Sequence, residues 1–581
     1  MKGEKVTEIT GGELLLRSLH AENVRHIHAI TDGTYMIFLE ALERLGEEMD
    51  MHLIVPRHEA AGAHFADAAT RITGRPAVVM ACAGPGAANL LSGIICAQAE
   101  GSPVVAITTR RRTDVSDTYR HMGGTQSPNH LDLFRPAVKW NGSIDHWQHI
   151  PDMVRHAFRV ATSGSPGPVH LLISEDVLNQ TGDLESVAIW PPERTRVLAG
   201  SMANPADVQR AAKMLVEAGM ANIHAGNGAN RSAAGEEILA LAEHLNSPVT
   251  NNASARGIIP EDHELSFPPL CMASYMTHVQ ADLILGVGTR FGELAMWGRP
   301  PLWGDPAEQP TIQIESNPAN IGLNRPVDIA LIGDAKLVMG QLLQAVRALT
   351  GPKDPDPRLA ELQMFRAQWW QGLANDIADM ERTPMLTGQI LKVCNKFFAD
   401  DAIVALDGGN TVMWSMHYIV PRTPGSVLYT ANMGYLGTGL PYAIGAKIVA
   451  PDRQVYCVSG DSAFGFNMQE LETAVRLNLP IIVVVAVDGA FGMEKSAQKR
   501  VFNREAPWFH HDHAPVRYDK VAEAMGCYGE YVDKASDLPA TLQRAVESGK
   551  PAVIHAVVDP VANVDPPGLY IWNMARSGKI G

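Results

Sequence analysis

The sequence predicts an α/β fold of three doubly wound parallel-sheet domains. Three blocks of the chain each alternate short apolar runs, typical of buried strands, with helical stretches. Pro-rich segments at residues 189–192 and 350–357 separate the blocks. The length of 581 residues allows about four domains by the usual size range. We expect domains at residues 1–187, 193–350 and 375–560, followed by a C-terminal tail at 561–581.

Composition narrows the class of protein. A formal charge of −15 argues against a nucleic-acid partner, because nothing would neutralise the phosphates along a duplex. The six cysteines include no CxxC pair, so neither a disulfide framework nor a zinc site is indicated. The longest purely apolar run, residues 481–487, is too short to span a bilayer. We expect a cytoplasmic enzyme with a small-molecule substrate and no membrane partner.

The first block shows strands at residues 78–80, 104–107 and 169–173. Glu59 lies where an earlier strand passes into an Ala-rich helix, and by itself it suits a helix start. A Gly-Pro-Gly loop that begins at Gly84 and contains Asn89 follows the next strand.

The second block carries glycines at turns that follow strands. Gly226, Gly228, Gly288 and Arg290 occupy such turns, and Glu315 ends a further strand. Glycines there can admit a pyrophosphate, and a carboxylate can accept from ribose hydroxyls. Because none of the clusters is a complete GxGxxG, both structural turns and a bound ADP or FAD remain open.

The third block holds the most informative feature. An apolar run at residues 455–458 ends in a Gly-Asp turn at Asp461, and a second strand at residues 480–487 ends at Asp488. Parallel strands deliver such residues to one edge of the sheet. The two carboxylates would then lie side by side and bind Mg²⁺, with phosphate and carbonyl oxygens completing its shell. The sequence therefore predicts a magnesium–diphosphate site.

These segments resemble the thiamine-diphosphate motif of Gly-Asp-Gly followed by Asn-Asn. Gly460-Asp461-Ser462-Ala463 and Val487-Asp488-Gly489-Ala490 carry the resemblance. The chain departs from the motif twice, with Ser462 for the last glycine and Val487-Asp488 for Asn-Asn. A carboxylate in place of the amide still suits a hard cation. The resemblance implies as metal ligands Asp461, Asp488 and the carbonyl of Ala490.

Further segments of the same family align in order along the chain. The resemblance implies that Glu59 hydrogen-bonds N1′ of the cofactor's aminopyrimidine and so promotes loss of the C2 proton. Leu436 matches the bulky residue that wedges between the two cofactor rings. Gln126 matches a family glutamine, although Thr125 and Ser127 differ from its usual neighbours. The implied cofactor-binding residues are Glu59, Gly84, Asn89, Gly409, Asn410, Thr411, Gly434, Leu436, Gly460, Asp461, Ser462, Ala463, Phe491, Gly492 and Met493.

Two titratable residues are further catalytic candidates. Glu494 follows the second metal ligand and is a candidate acid/base, or else a surface carboxylate paired with Lys495 or Lys499. His28 is a candidate on the first block, or else a structural histidine. The resemblance also implies active sites between subunits, and hence a homodimer or homotetramer.

The substrate is the least determined property. Arg110, Arg111 and Arg112 follow a strand tip and are either a phosphate site for an acyl-CoA or a solvated loop. The tail contains Tyr570, Trp572, Arg576 and Lys579 and is a possible lid.

Three functions therefore stay open. Residues 460–466 and 516–520 are similar to oxalyl-CoA decarboxylase and 2-hydroxyacyl-CoA lyase, which favours C–C cleavage of that type. The N-terminal motifs look equally like benzaldehyde lyase and acetolactate synthase, so acetolactate-synthase-like carboligation of 2-oxo acids is the alternative. A non-catalytic, cofactor-binding relative is the second alternative.

Overall fold

The computed structural model describes residues 8–114, 124–505, 507–564 and 566–569. The chain forms two compact units, the first holding residues up to Ala199 with Ile444–Val449 and the second holding the remainder. In the described ranges, one six-stranded sheet lies in the first unit and two lie in the second, and all three are parallel. The predicted fold of three parallel-sheet α/β domains is confirmed. Within these ranges every helix is too short or too polar to cross a membrane.

The first unit contains the sheet predicted for the N-terminal block. Its strands are β1 (Glu8–Thr10), β2 (His26–Ala29), β3 (His52–Ile54), β4 (Ala77–Ala81), β5 (Val104–Arg110), β6 (Trp140–Ile144), β7 (Val169–Ser174) and β8 (Thr181–Asp183). Its helices are α1 (Gly11–Ala21), α2 (Met36–Met49), α3 (Glu59–Thr73), α4 (Pro85–Glu100), α5 (His130–Phe134), α6 (Ile150–Thr162) and α7 (Glu175–Asn179). The sheet runs in the order β3-β2-β4-β5-β7-β6, while β1 pairs with β8.

The second sheet is built from residues 221–332. Its strands are β9 (Ala221–Ala225), β10 (Val249–Asn251), β11 (Ser266–Phe267), β12 (Leu283–Val287), β13 (Thr311–Glu315) and β14 (Ile329–Ile332). Its helices are α8 (Pro205–Glu217), α9 (Asn227–Arg231), α10 (Gly235–Leu245), α11 (Met272–Gln280), α12 (Ala335–Leu349) and α13 (Pro357–Asp376). The order β11-β10-β9-β12-β13-β14 is that of dinucleotide-binding sheets.

The third sheet carries the predicted metal ligands. Its strands are β15 (Ile403–Asp407), β16 (Val427–Leu428), β17 (Val455–Gly460), β18 (Ile482–Val487), β19 (Tyr528–Val532) and β20 (Ala552–Val557). Its helices are α14 (Thr387–Phe397), α15 (Gly409–Tyr418), α16 (Gly439–Val449), α17 (Asp461–Asn467), α18 (Glu470–Arg476), α19 (Gly492–Phe502), α20 (Trp508–His511), α21 (Tyr518–Ala524) and α22 (Leu538–Glu547). The order β16-β15-β17-β18-β20-β19 repeats that of the first sheet.

Strand order explains where a ligand can bind in the third sheet. The chain passes from β15 to β16 on one side of β15 and then crosses back to β17 on its other side, so the strand order reverses at β15. A crevice opens at the carboxyl ends of strands where the order reverses in this way. The strands are apolar and buried because helices cover both faces of a parallel sheet. Polar residues therefore gather at the strand ends, where Asp407 ends β15 and Asp461 follows β17.

The two sheets of the second unit are joined by a buried ion pair. Arg256 forms a bidentate pair with Glu261, with nitrogen–oxygen distances of 3.0 and 2.6 Å. The same guanidinium donates to the carbonyls of Ser415 and Ile419 at the end of α15. Since both charged side chains are almost wholly buried, this contact fixes α15 against the central sheet.

Candidate active site

The carboxylates of Asp461 and Asp488 lie at the tips of adjacent strands, β17 and β18. Asp461 accepts from the backbone N–H of Ser462 at 2.7 Å and of Gly489 at 2.8 Å. Asp488 accepts from the N–H of Ala490 at 3.2 Å. Backbone N–H groups of its own turn and of the Asp488 turn therefore orient Asp461, and an N–H of its own turn orients Asp488.

The electrostatics of this pair favour a bound cation. Burial, followed by repulsion from Asp488, raises the pKa of Asp461. Burial also raises the pKa of Asp488. Two desolvated carboxylates that repel each other favour either protonation or a metal ion. Oxygen ligands of this kind suit Mg²⁺ or Ca²⁺.

A serine donates to the carbonyl of Ala490, and a histidine contacts that serine. Ser462 Oγ donates to the Ala490 oxygen at 2.7 Å, and His513 Nε2 lies 2.8 Å from the same hydroxyl. The backbone N–H of His513 donates to the carbonyl of Gly489 at 2.7 Å. Ser462 therefore has a specific contact where the family's motif carries glycine. Sequence reasoning missed this role of His513, because the histidine lies 51 residues from Ser462.

Asp407 anchors the loop that contains Leu436. Its carboxylate accepts from the backbone N–H groups of Gly408, Gly437 and Gly439 at 2.8, 3.2 and 2.8 Å. Burial raises the pKa of Asp407 to about 6, and these N–H groups oppose that rise. The sequence places Asp407 beside a diphosphate loop but gives no signal for this anchoring role.

The N-terminus of α15 forms a polar end for the site. Gly408 adopts φ +92°, which favours glycine, and α15 begins at Gly409. Asn410 is buried, and its side-chain amide has no hydrogen-bond partner in the described part of the chain. A buried unpartnered amide at a helix N-terminus is suited to an anionic ligand. Together with the acidic pair, these residues fit the diphosphate group of thiamine diphosphate and a Mg²⁺ ion bound with it.

A cavity of about 400 Å³ in the second unit brings most of the predicted residues together. Residues of the central sheet's domain, such as Leu270 and Leu294, complete its wall. The predicted site residues that line it are Gly409, Asn410, Thr411, Gly434, Leu436, Gly460, Asp461, Ser462, Ala463, Asp488, Ala490, Phe491, Gly492, Met493 and Glu494.

A second cluster of predicted residues lies in the first unit. Asn89 Nδ2 donates to Glu59 Oε2 at 3.0 Å, which orients the carboxylate at the start of α3. A Cβ on Gly86 would lie 3.3 Å from Glu59 Oε1, so glycine gives that oxygen room. A Cβ on Gly84 would lie 2.8 Å from Cα of Gln126, which itself has φ +58°. The unit therefore brings Glu59, Asn89, Gly84 and Gln126 into one neighbourhood.

His28 lies in the core of the first unit. It is 1% exposed on β2, with the ring of Phe65 packed edge-on at 5.9 Å. Burial lowers the pKa of His28 to about 3 and keeps the imidazole neutral. These surroundings are those of a structural histidine and give no support to the predicted catalytic role.

The arginine run is neutralised by nearby carboxylates. Arg110 lies 3.4 Å from Asp145, Arg111 lies 3.6 Å from Glu175, and Arg112 lies 2.8 Å from Asp114. The predicted lid residues Tyr570, Trp572, Arg576 and Lys579 lie outside the described residues.

Close backbone packing explains the glycines of the central sheet. The N–H of Gly226 donates to Val287 at 2.9 Å, and that of Gly228 donates to Gly288 at 3.0 Å. A Cβ on Gly226 would lie 2.4 Å from the Gly288 oxygen. Glu315 accepts from the N–H of Asn317 at 3.1 Å. These contacts favour structural turns, and an ADP or FAD site remains a prediction.

Comparison with known protein families gives a match to part of each of the three sheets. The N-terminal TPP binding domain of the thiamine pyrophosphate enzymes matches residues 9–133. The central domain of the same enzymes matches residues 208–342, and their C-terminal TPP binding domain matches residues 407–556.

Several relatives match the chain almost from end to end. A probable acetolactate synthase large subunit of Methanocaldococcus jannaschii is 30% identical, covering 98% of this chain and 96% of the relative. The acetolactate synthase large subunit IlvB1 of Mycobacterium tuberculosis is 28% identical over 98% of this chain and 90% of its own length. The acetolactate synthase isozyme 3 large subunit of Escherichia coli is 27% identical over 93% and 92%.

Proposed function

This chain belongs to the thiamine pyrophosphate enzyme family, and we propose that it catalyses acetolactate-synthase-like carboligation of 2-oxo acids. The chain is thus a thiamine-diphosphate-dependent enzyme. The observation that carries the proposal is the end-to-end similarity to acetolactate synthase large subunits, at 98% of this chain and 96% of one relative. Carboligation of 2-oxo acids, which the sequence left open as the alternative, is therefore better supported than cleavage of a 2-hydroxyacyl-CoA.

The acidic pair and the start of α15 would hold the cofactor's diphosphate. Asp461, Asp488 and the Ala490 carbonyl are proposed ligands of Mg²⁺, whose preference for oxygen they match. Asn410 and the N–H groups that begin α15 would donate to phosphate oxygens. Leu436, on the loop anchored by Asp407, would support the rings from one side. When bound, thiamine diphosphate supplies a nucleophilic carbon and an electron sink beside the substrate carbonyl.

We propose proton-transfer and proton-donating roles for Glu59, Gln126 and Glu494. Glu59, oriented by Asn89, would hold a proton at N1′ of the aminopyrimidine. Gln126, beside the Gly84 loop, would donate to a substrate oxygen. Glu494 is exposed at the cavity wall, and we propose it as the acid/base that exchanges a proton with the acceptor oxygen.

The interpretation as a 2-hydroxyacyl-CoA lyase is less well supported. Its phosphate site depended on Arg110, Arg111 and Arg112, and each of these already has a carboxylate within 3.6 Å. Exposed pairs of this kind are weak, but they reduce the positive charge available to a CoA phosphate. A non-catalytic relative is disfavoured by the presence of Glu59 and Asp461 together with family membership.

One assay separates the candidate reactions. The purified chain, with thiamine diphosphate and Mg²⁺, is given ¹³C-labelled pyruvate in one reaction and a 2-hydroxyacyl-CoA in a parallel one, and the products are identified by NMR. We expect CO₂ and a new C–C bonded 2-hydroxy ketone. Cleavage of a 2-hydroxyacyl-CoA without any ligation of pyruvate would contradict the proposal and indicate a 2-hydroxyacyl-CoA lyase instead. Cofactor binding without turnover of either substrate would support the non-catalytic alternative.

A further inference from the structure

A chain of buried polar contacts ends at the Gly84 loop of the first unit. The backbone N–H of Gly84 donates to His130 Nε2 at 3.3 Å. His130 Nδ1 lies 2.9 Å from Thr108 Oγ1, and the same hydroxyl lies 2.7 Å from His170 Nε2. The three side chains are at most 1% exposed. The contacts therefore form one line from the neighbouring strands β5 and β7 to the loop that precedes α4.

The contact with Gly84 determines where the protons of this chain lie. A backbone N–H can only donate, so His130 Nε2 carries no proton. A neutral imidazole then has its proton on Nδ1, which donates to Thr108 Oγ1. The Thr108 hydroxyl has a single proton and donates it to His170 Nε2. Both histidines are thus held in the Nδ1–H tautomer, and all the hydrogen bonds run in one direction.

Burial supports this protonation state. Burial, followed by the charge of Arg110, lowers the pKa of His130 to about 4. Burial, followed by the charge of His130, lowers the pKa of His170 to about 3. Both imidazoles are therefore neutral near pH 7. A protonated His130 would donate from both nitrogens and would lose its contact with Gly84.

The packing of the core does not by itself account for these polar residues. His170 stacks on Phe134, with ring centroids 4.2 Å apart. Its Nδ1 has no hydrogen-bond partner in the part of the chain that the structure describes. An unpaired buried N–H costs free energy, and apolar side chains in the same space would avoid that cost. The role of the chain therefore lies at its other end, at Gly84.

The Gly84 loop is packed directly against Gln126. Gly84 has φ +73°, and a Cβ there would lie 2.8 Å from both Cα and Cβ of Gln126. The two backbones are therefore in contact, and a shift of Gly84 displaces Gln126. Helix α4 begins at Pro85 and carries Asn89, which donates to Glu59 Oε2 at 3.0 Å. The position of one backbone N–H thus affects both Gln126 and the carboxylate of Glu59.

From these contacts we propose that His130 is a positioning residue, which holds the Gly84 loop in the arrangement that proton transfer at Glu59 requires. Thr108 and His170 fix the tautomer in which His130 accepts from the loop. The inference rests on the proposed carboligation and adds to it three side chains that act through the loop rather than on the substrate.

Two substitutions of His130 separate the roles of its two nitrogens. The side-chain oxygen of glutamine can take the place of Nε2, whereas the shorter asparagine reaches only the place of Nδ1. His130→Gln should therefore keep the contact with Gly84, and His130→Asn should lose it. Hydrogen–deuterium exchange of the Gly84 amide, resolved by mass spectrometry on the protein without cofactor, reports this contact. We expect exchange at least about fivefold faster in His130→Asn than in His130→Gln or the wild type. Equal exchange in the two variants would overturn the inference.

Turnover tests the consequence of that contact. With pyruvate as the substrate, His130→Asn should lower kcat at least about tenfold, because small displacements of catalytic groups are costly. The affinity for thiamine diphosphate should stay close to that of the wild type, and His130→Gln should recover most of kcat. His149→Asn, at an exposed histidine that precedes α6, is the control and should match the wild type. A parallel loss of kcat and cofactor affinity in His130→Asn would indicate a merely structural role and contradict the proposal.

Thr108→Val tests the chain without a change at His130, and it replaces His130→Asn if that variant does not fold. Valine has nearly the shape of threonine but cannot accept from His130 Nδ1. The imidazole then loses the partner that fixes its tautomer, so exchange at Gly84 should quicken about threefold. Unchanged exchange would contradict the role assigned to the chain. If the wild type forms no C–C bond from pyruvate, the proposed function is rejected, while the exchange rates still decide whether His130 holds the loop.

Discussion

Asn563 donates a hydrogen bond from Nδ2 to Oδ2 of Asp488 over 3.1 Å. Its own Oδ1 accepts from Thr387 Oγ1, and its carbonyl accepts from Trp414 Nε1 at 2.9 Å. The amide is therefore held with its N–H₂ group directed at the proposed metal ligand. Since Asp488 also accepts from the Ala490 N–H, both of its oxygens are oriented by the protein. This contact joins the C-terminal segment to the proposed metal site.

The first prediction concerns Asn563→Ala, which leaves Asp488 without its side-chain donor. Loss of a partner that orients a metal ligand typically weakens metal binding by about 10–100-fold. We expect that loss in Mn²⁺ affinity, measured by electron paramagnetic resonance in the presence of thiamine diphosphate. Asn395→Ala is the matched control, because it removes an amide that accepts from the Val420 N–H away from the acidic pair. Equal affinities in both variants would show that Asn563 has no role at the metal.

The second prediction separates the two carboxylates. Asp461→Ala should abolish metal-dependent binding of thiamine diphosphate, because the cation would lose a ligand held by two backbone N–H groups. Asp488→Asn should retain binding, since the amide oxygen still ligates and restores the family's usual residue. The same variant should raise the melting temperature of the metal-free protein, because it removes repulsion between buried charges. Calorimetric titration and thermal unfolding measure both effects. Undiminished binding in Asp461→Ala would place the metal elsewhere.

The sequence predicted the fold and the acidic pair for the same physical reason. Buried parallel strands are continuous apolar runs, and the residues that follow them meet at one edge of the sheet. Asp461 and Asp488 could therefore be paired from the sequence, and the structure brings them to adjacent strand tips.

Other contacts of the candidate site cannot be predicted from the local sequence. Asn563 is 75 residues from Asp488, and only tertiary packing brings the two together. His28 lies on β2, an inner strand that is buried on both faces, and its catalytic role stays a prediction without support from these surroundings. A polar residue there does not mark an exposed face.

The third prediction concerns Glu59→Gln. Cofactor affinity should be retained while carboligation slows by at least about two orders of magnitude, the scale of a positioned acid/base group. Asn89→Ala should have a smaller effect, about tenfold, since it removes one hydrogen bond to a charged oxygen. The exposed Glu48→Gln on α2 is the control and should be neutral. The rate of carboligation is measured by stopped flow and the cofactor affinity is measured separately, so that an effect on proton transfer is distinguished from an effect on binding. A wild-type rate in Glu59→Gln would remove this residue from proton transfer.

The fourth prediction concerns the buried pair that fixes α15. Arg256→Met should destabilise the protein by about 3–5 kcal/mol, because Glu261 would remain buried without a partner. The double variant Arg256→Met/Glu261→Gln should recover part of that loss. Arg422→Met removes more exposed pairs with Asp262 and Asp400 and should cost less than about 1 kcal/mol. Urea unfolding gives the three free energies, and equal losses in Arg256→Met and Arg422→Met would refute the ranking.

The fifth prediction tests whether Glu59 acts on the cofactor of another subunit. In a symmetric dimer with shared sites, the Glu59→Gln and Asp461→Ala chains are each inactive, but a mixed dimer contains one site with both residues intact. If equal amounts of the two chains exchange subunits at random, half the dimers are mixed, so about a quarter of the wild-type activity should return. Activity is assayed after reversible dissociation and remixing, with the separate variants as controls. Mixtures that stay inactive although mass spectrometry detects mixed dimers would show that each site is built from a single chain.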